Sequence, residues 1–212
     1  MIQKYISIIF KIIRKLINIL IYKIDFLICL GMFYVQNVKH ESFRSRGLPY
    51  ISVARNGKCT IGKHFLMNNG LKGNPIGRPQ RCLLFVCNFA TLTIGEKVGI
   101  SSTAIIASLS ITIGDNVQIG GGVCIYDTDF HSLDHNYRKD MAQDNIHQVK
   151  SAILIKENSF IGAHSTILKG VTIGVNSIVG ACSVVTKSIP DNEIWAGNPA
   201  KFIRKINESE EV

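Results

Sequence analysis

The sequence predicts a triangular prism of short parallel β-strands coiled one above another, and three regularities carry that prediction. Isoleucine or valine returns at every sixth position at Ile155, Ile161, Ile167, Ile173, Val179 and Val185, and in an earlier run at Ile94, Ile100 and Ile106, then Ile113, Ile119 and Ile125. The next residue is often glycine, as at Gly95, Gly114, Gly120, Gly162, Gly174 and Gly180. The fifth position holds compact residues such as Val98, Val117, Ser159, Ser165 and Ser177. A period of six fits neither a helix nor a long strand, so it marks a repeat architecture.

Each hexapeptide supplies one strand and one corner, with the aliphatic side chain inward, glycine suiting an unusual corner backbone and the compact residue filling the bend. Three hexapeptides close a coil. Coils stack about 4.8 Å apart, which places Ile155 under Ile173 and Ile161 under Val179. The seven-residue step from Ile106 to Ile113 is expected to be absorbed as a bulge at a corner.

Taken in order, residues 2–22 predict a helix with Lys4, Lys11, Arg14, Lys15 and Asn18 on one narrow face and Ile, Leu and Phe on the rest. In a bilayer Lys11, Arg14 and Lys15 cost roughly 3 kcal/mol each, about 9 in all, against roughly 4 to 7 kcal/mol gained from the apolar residues, so spanning is not expected. A cleaved signal peptide is not expected either, because charges interrupt the apolar region. The charge-free stretch Phe26 to Val38 predicts a second helix folding back on the first. Two readings stand for residues 1–38: a peripheral anchor on an anionic membrane, with basic residues on lipid phosphates, or a cover for the open end or flank of the stack.

The boundaries expected are a basic helical segment over 1–48, the β-helix over 49–206 with a short C-terminal helix, and an acidic tail over 207–212. Strands are expected from Tyr50, with a Gly/Pro/Asn-rich excursion over Asn68 to Pro79. After Ile125 the ladder stops, and a polar loop over 127–152 holds three of the six histidines. Long loops on a regular frame are where function concentrates.

Composition narrows the function classes. The 212 residues carry a net charge of +9, and +6 of it falls within residues 1–46, where eight Lys/Arg face Asp25 and Glu41. No nucleic-acid recognition motif accompanies this basic patch, so no nucleic acid is expected as partner. The six cysteines form no CxxC pair and no zinc spacing. They read as reduced thiols of a cytoplasmic protein, with attachment at the inner face of the cytoplasmic membrane as the further expectation.

The hexapeptide ladder, the segment Ile125-Tyr126-Asp127-Thr128-Asp129-Phe130-His131-Ser132-Leu133-Asp134 and the ending from Val184-Val185-Thr186-Lys187 to Asn198-Pro199-Ala200-Lys201 together resemble the hexapeptide-repeat acyltransferases. The branch most similar contains the maltose and galactoside O-acetyltransferases and relatives that decorate bacterial surface polysaccharides. The resemblance covers about residues 82–206. It implies a left-handed parallel β-helix, a homotrimer, and acetyl-coenzyme A as co-substrate in the groove between subunits, with no metal. The left hand comes from the family alone, since the general preference for parallel connections is right-handed.

By the same resemblance His131 is the catalytic histidine. An imidazole suits the task, since a sugar hydroxyl needs a base to take its proton as it attacks a thioester. Asn88 matches an acceptor-binding position; a turn asparagine capping its own backbone is its plainer reading. Ala163, Ala181, Thr186 and Lys187 match positions along the pantetheine arm and phosphates. Lys201 and Arg204 match basic positions near the adenosine end, with lysine at 201 where relatives carry arginine. His135 and His147 lack the motif and read as solvated loop histidines.

The function expected is acetyl transfer from acetyl-coenzyme A to a sugar hydroxyl, of a capsule or O-antigen type glycan or its precursor, by direct transfer with His131 as general base. Three alternatives stand beside it: a zinc lyase of the carbonic anhydrase type, which needs three histidines converging across a subunit interface; an acetyltransferase for a small amine or amino acid; and a non-catalytic scaffold.

Overall fold

The aliphatic ladder lies inside. In the computed structural model, which describes residues 2–76 and 79–206, Ile155 pairs with Ile173 and Ile161 with Val179 on neighbouring parallel strands, and all four side chains are fully buried. The chain forms a left-handed parallel β-helix. Face A stacks Lys39–His40, Lys58–Ile61, Thr91–Ile94, Ser110–Ile113, Ile153–Ile155 and Thr172–Ile173. Face B runs from Phe43–Arg46 through Gly99–Ser101 to Ile178–Val179, and face C from Tyr50–Val53 through Cys124–Tyr126 to Val184–Val185. Because side chains alternate across a strand, the longer strands of face A send two residues inward, such as Leu92 with Ile94 and Ile111 with Ile113.

Several expectations are corrected. Coils begin at Lys39, whose strand pairs with Lys58–Ile61, rather than at Tyr50. The inward residue of the strand Ala104–Ala107 is Ile105, fully buried and paired with Ile125, while Ile106 faces outward beside Tyr126. A strict count of six puts Ile106 in the ladder; the step from Ile100 to Ile105 is instead five residues, where the next coil takes six from Ile119 to Ile125, and the following corner is the longer one, with eight residues from Ile105 to Ile113. The second-position glycines do not adopt the left-handed conformation. They are small because the coils are flush: a Cβ on Gly114 would come within 2.7 Å of the Glu157 amide nitrogen, and one on Gly162 would strike that of Ala181. Positive φ falls two residues later, at Lys97, Asn116, Asn158 and Asn176 along one edge, where asparagine tolerates it best among non-glycine residues. Asn116, Asn158, Asn176 and Asn192 also link their amides from coil to coil at 2.8–3.1 Å, a ladder the aliphatic count does not reveal.

The N-terminal segment is one helix, α1 (Ile2–Val35), not two. Charge does not break a helix, and Lys23-Ile24-Asp25 contains no Gly or Pro. Termination comes at Asn37, in the left-handed region with φ 51°, while Val38 N–H donates to the Phe33 carbonyl at 2.9 Å, a Schellman-type end. The last turns of α1 lie across the open first coil. Phe33 packs on Phe43 of face B and His40 of face A, and Gln36, just past the helix, accepts the Val53 N–H of face C at 2.8 Å.

A short helix, α2 (Gly70–Gly73), interrupts the second coil between its strands on face B (Phe65–Asn68) and face C (Leu83–Val86). At the other end, the residues expected as a short C-terminal helix form the strand Lys201–Lys205, antiparallel to Glu193–Ala196. Its two aromatics meet edge to face, Trp195 against Phe202, so the strand completes face B where a helix would leave Glu193–Ala196 as an open edge. The acidic tail expected over 207–212 lies outside the described residues.

Candidate active site

The loop over 127–152 leaves the prism at the edge between faces C and A and is fixed on both sides. From below, the Asp127 carboxylate, fully buried, accepts the backbone N–H groups of Ser108, Leu109 and Ser110 at 2.6–2.8 Å. Those three residues turn the corner one coil down. From above, Lys169 pairs with Asp129 at 2.7 Å and Gly170 N–H donates to the Ser151 carbonyl. Between these clamps the chain forms α3 (His135–Arg138), capped by Asp134, and α4 (Met141–His147), capped by Asp140. Both are short polar helices whose starts follow from the preference for aspartate at an N-cap.

The helix α4 carries Asp144 back against His131. The His131 Nδ1 lies 2.6 Å from Asp144 Oδ2, and Oδ1 of the same carboxylate accepts the Ser132 N–H at 2.6 Å. The hydrogen bond from His131, then the one from the Ser132 N–H, hold the Asp144 carboxyl below the usual carboxylate range. An ionised carboxylate only accepts, so Nδ1 carries the proton and Nε2 keeps its lone pair. The carboxylate is nearly buried while the His131 side chain is 70% exposed: a held ring that offers a basic nitrogen to solvent or substrate. Arg138 donates to the carbonyls of Ser132 and Leu133 at 2.6 and 2.8 Å, securing the segment just after the histidine. Asp144 was not singled out in the sequence. Its partner is thirteen residues away in a loop without periodicity, and only the fold of α4 brings them together.

The other loop histidines face elsewhere. The His147 ring stacks on Tyr137 at 3.6 Å and its Nδ1 meets the Gln143 carbonyl, while His135 lies 3.7 Å from Asp134. His164 sits on a different edge, in the corner after Phe160–Ile161.

The remaining candidates divide among three places. Asn88 is exposed on the C–A edge, two coils below the loop, and its Oδ1 accepts the N–H of Asn56, on the neighbouring coil rather than its own turn, at 3.2 Å. Thr186 and Lys187 lie exposed on the same edge above the loop. Ala163 and Ala181 lie on the B–C edge, stacked so that Cys182 N–H donates to the Ala163 carbonyl at 2.8 Å. Face C separates the two groups. Lys201 and Arg204 sit on the exposed terminal strand of face B, opposite Ala196 and Ile194. Within one protomer these residues are not one pocket; they are two edges and an end.

Burial pushes the Cys59 and Cys82 thiols up to about 12 and about 11, so both are core residues rather than nucleophiles.

Fold and loop together define a β-helical prism of hexapeptide coils that carries a histidine–carboxylate pair on an excursion from one edge. Residues 152–187 match the family described as bacterial transferase hexapeptide (six repeats), and residues 92–127 match the hexapeptide repeat of succinyl-transferase; the excursion is what separates the two matches. The putative lipopolysaccharide biosynthesis O-acetyl transferase WbbJ of Escherichia coli K12 is 32% identical over 161 residues, 73% of this chain and 76% of that protein. The galactoside O-acetyltransferase of the same organism is 43% identical over 104 residues, 49% of this chain and 48% of its own length. A solved galactoside acetyltransferase in complex with coenzyme A superposes with a TM-score of 0.53 at 30% identity, covering 81% of this chain and 65% of that one. The chain spans about half the length of the galactoside O-acetyltransferases it matches. It belongs to the hexapeptide-repeat acetyltransferase family.

Proposed function

We propose that this protein transfers the acetyl group of acetyl-coenzyme A to a sugar hydroxyl, with His131 as general base. The single observation that carries the reading is the His131–Asp144 pair, an exposed imidazole whose tautomer is fixed with Nε2 free. That nitrogen takes the hydroxyl proton as the sugar oxygen bonds to the thioester carbonyl carbon. The carbon–sulfur bond then breaks, and the proton passes from the imidazolium to the leaving sulfur. Asp144 stabilises the ring while it is charged, and direct transfer needs no covalent enzyme intermediate.

The described residues suit the co-substrate. On the B–C edge Ala163 and Ala181 present only methyl groups beside the flush corner glycines Gly162 and Gly180, so an extended pantetheine arm can approach backbone closely there. Lys187, Lys201 and Arg204 would meet phosphates. Because these groups lie on separate edges, one protomer does not assemble the whole site. A homotrimer of parallel prisms resolves this, setting the C–A edge of one subunit against the B–C edge of the next. The resemblance of the chain to a putative lipopolysaccharide O-acetyl transferase supports a bacterial surface glycan, of capsule or O-antigen type, or its precursor as acceptor.

The test is thiol release from acetyl-coenzyme A in the presence of an oligosaccharide panel, with acetylated product identified by mass. His131→Ala should lower turnover about a hundredfold or more, the range general-base catalysis supplies, while the oligomer stays intact. Unchanged turnover would sink the assignment of the base.

A further inference from the structure

The helix α1 has 34 residues, about 51 Å at 1.5 Å per residue, yet it packs on the prism only from about Tyr22 onward. Asp25 accepts the Gly47 N–H at 2.9 Å, Phe26 stacks on Phe43, and Cys29 and Phe33 are fully buried. From Gln3 to Ile24 every residue is exposed.

The docking fixes how that free length is rotated. Lys11, Lys15, Asn18, Tyr22, Asp25 and Cys29 recur at intervals of three or four, so they form one stripe along the helix, and its lower end is the docked face. The cations therefore look toward the side where the prism sits. Ile6, Ile13, Leu20 and Leu27, midway round the helix, look away, and each is between 50 and 64% exposed. Ile9, Ile12, Leu16 and Ile17 widen this back beyond the narrow seam by which helices pair.

Charge says what covers it. Lys4, Lys11, Arg14, Lys15 and Lys23 precede the first acid, Asp25, and that carboxylate is already bonded to the prism. Arg46, whose guanidinium lies 5.7 Å from the Tyr22 ring centre, and Arg81 line a groove of about 360 Å³ between α1 and the first coils, adding two more cations beside the helix. A second copy of α1 would bring the same charges, whereas an anionic bilayer brings phosphates to the level of the stripe and hydrocarbon to the back.

We propose that α1 lies in the interfacial plane of an anionic phospholipid bilayer, apolar back in the lipid, with the prism held on its polar side. By length and composition α1 is apolar enough to cross a membrane. Crossing, however, would put Lys11, Arg14 and Lys15 into hydrocarbon, and a docked C-terminal end with its stripe facing the prism suits the in-plane arrangement. The proposal stands apart from acetyl transfer, since none of these residues belongs to the site.

The test uses the full chain, because Cys29 and Phe33 are core residues and truncation would uncover the stack. Flotation with phosphatidylcholine vesicles, with and without phosphatidylglycerol, should show binding only to the anionic ones, weakening with salt. Replacing Lys11→Gln, Arg14→Gln and Lys15→Gln together should lower partitioning about a hundredfold, at about a factor of five for each basic residue near the surface. With brominated lipid, Ile13→Trp should be quenched, and Asn18→Trp should stay at the background of Trp195. Equal quenching at both positions, resistance to alkaline carbonate extraction, indifference to lipid charge, or association through α1 without lipid binding would each overturn the proposal.

Discussion

Replacing Asp144 by asparagine tests the centre of the site with almost no change of shape. The carboxylate now serves two donors, His131 Nδ1–H and the Ser132 N–H, both at 2.6 Å. Asparagine has one acceptor and one donor end. With its oxygen on Ser132, its amide turns toward His131, which must then accept at Nδ1 and carry its proton on Nε2, the nitrogen that needs to be free. With its oxygen on His131, two N–H groups oppose each other at Ser132. The first arrangement wins, and it holds the wrong tautomer. In a fully buried triad the same substitution costs about 10⁴ in turnover. Here the histidine side chain is 70% exposed, so water competes for the ring and softens the effect to roughly 10- to 100-fold, below the full general-base contribution of about 10² to 10⁴. Steady-state thiol release should show kcat falling with KM for both substrates unchanged. The double variant with His131→Ala should be no slower than His131→Ala alone, because the two act as a unit. Wild-type kcat in Asp144→Asn, or additive losses in the double variant, would refute a positioning role for this carboxylate.

Asp127→Ala should destabilise the protein by roughly 2 to 4 kcal/mol, since three backbone N–H donors lose their buried acceptor; chemical denaturation midpoints measure this. Asn176→Ala, in the middle of the amide ladder at φ 59°, should cost about 1 to 2 kcal/mol from left-handed strain, and Asn176→Gly less, read in the same assay. The pH dependence follows from Asp144. Its folded carboxyl sits below the ordinary carboxylate value, so its contribution is fully present above that value and is lost as pH falls through the depressed one. Limited proteolysis should therefore open the 127–152 loop in acid, below the usual carboxylate range and before the prism unfolds, and Asp144→Asn should abolish that step.

The prism was legible because a repeat protein writes its contacts locally: each coil touches only its neighbours, so inward position, rung length and stacking partner are all periods along the chain. The count failed where periodicity is interrupted. Ile105 rather than Ile106 points inward because the corner before it is one residue shorter than its counterpart in the next coil, and side-chain direction alternates with every residue of a strand. The glycine rule was read for the wrong cause, since close coil-to-coil approach and left-handed corners look alike in sequence and fall two positions apart in space. At the C-terminus the expected short helix gives way to a strand, because the open edge of Glu193–Ala196 recruits the ending.

The sequence alone therefore determined the coil, its register across the upper rungs and the place of the interruption, because those depend on spacing. Tertiary structure decided what the interruption holds and which way α1 faces. Asp144 meets His131 only when two short helices fold the loop back, and no interval of thirteen residues announces it. The basic stripe of α1 was plain on a helical wheel. That it points to the prism, leaving an apolar back outward, follows only from the burial of Cys29 and Phe33 against the first coil.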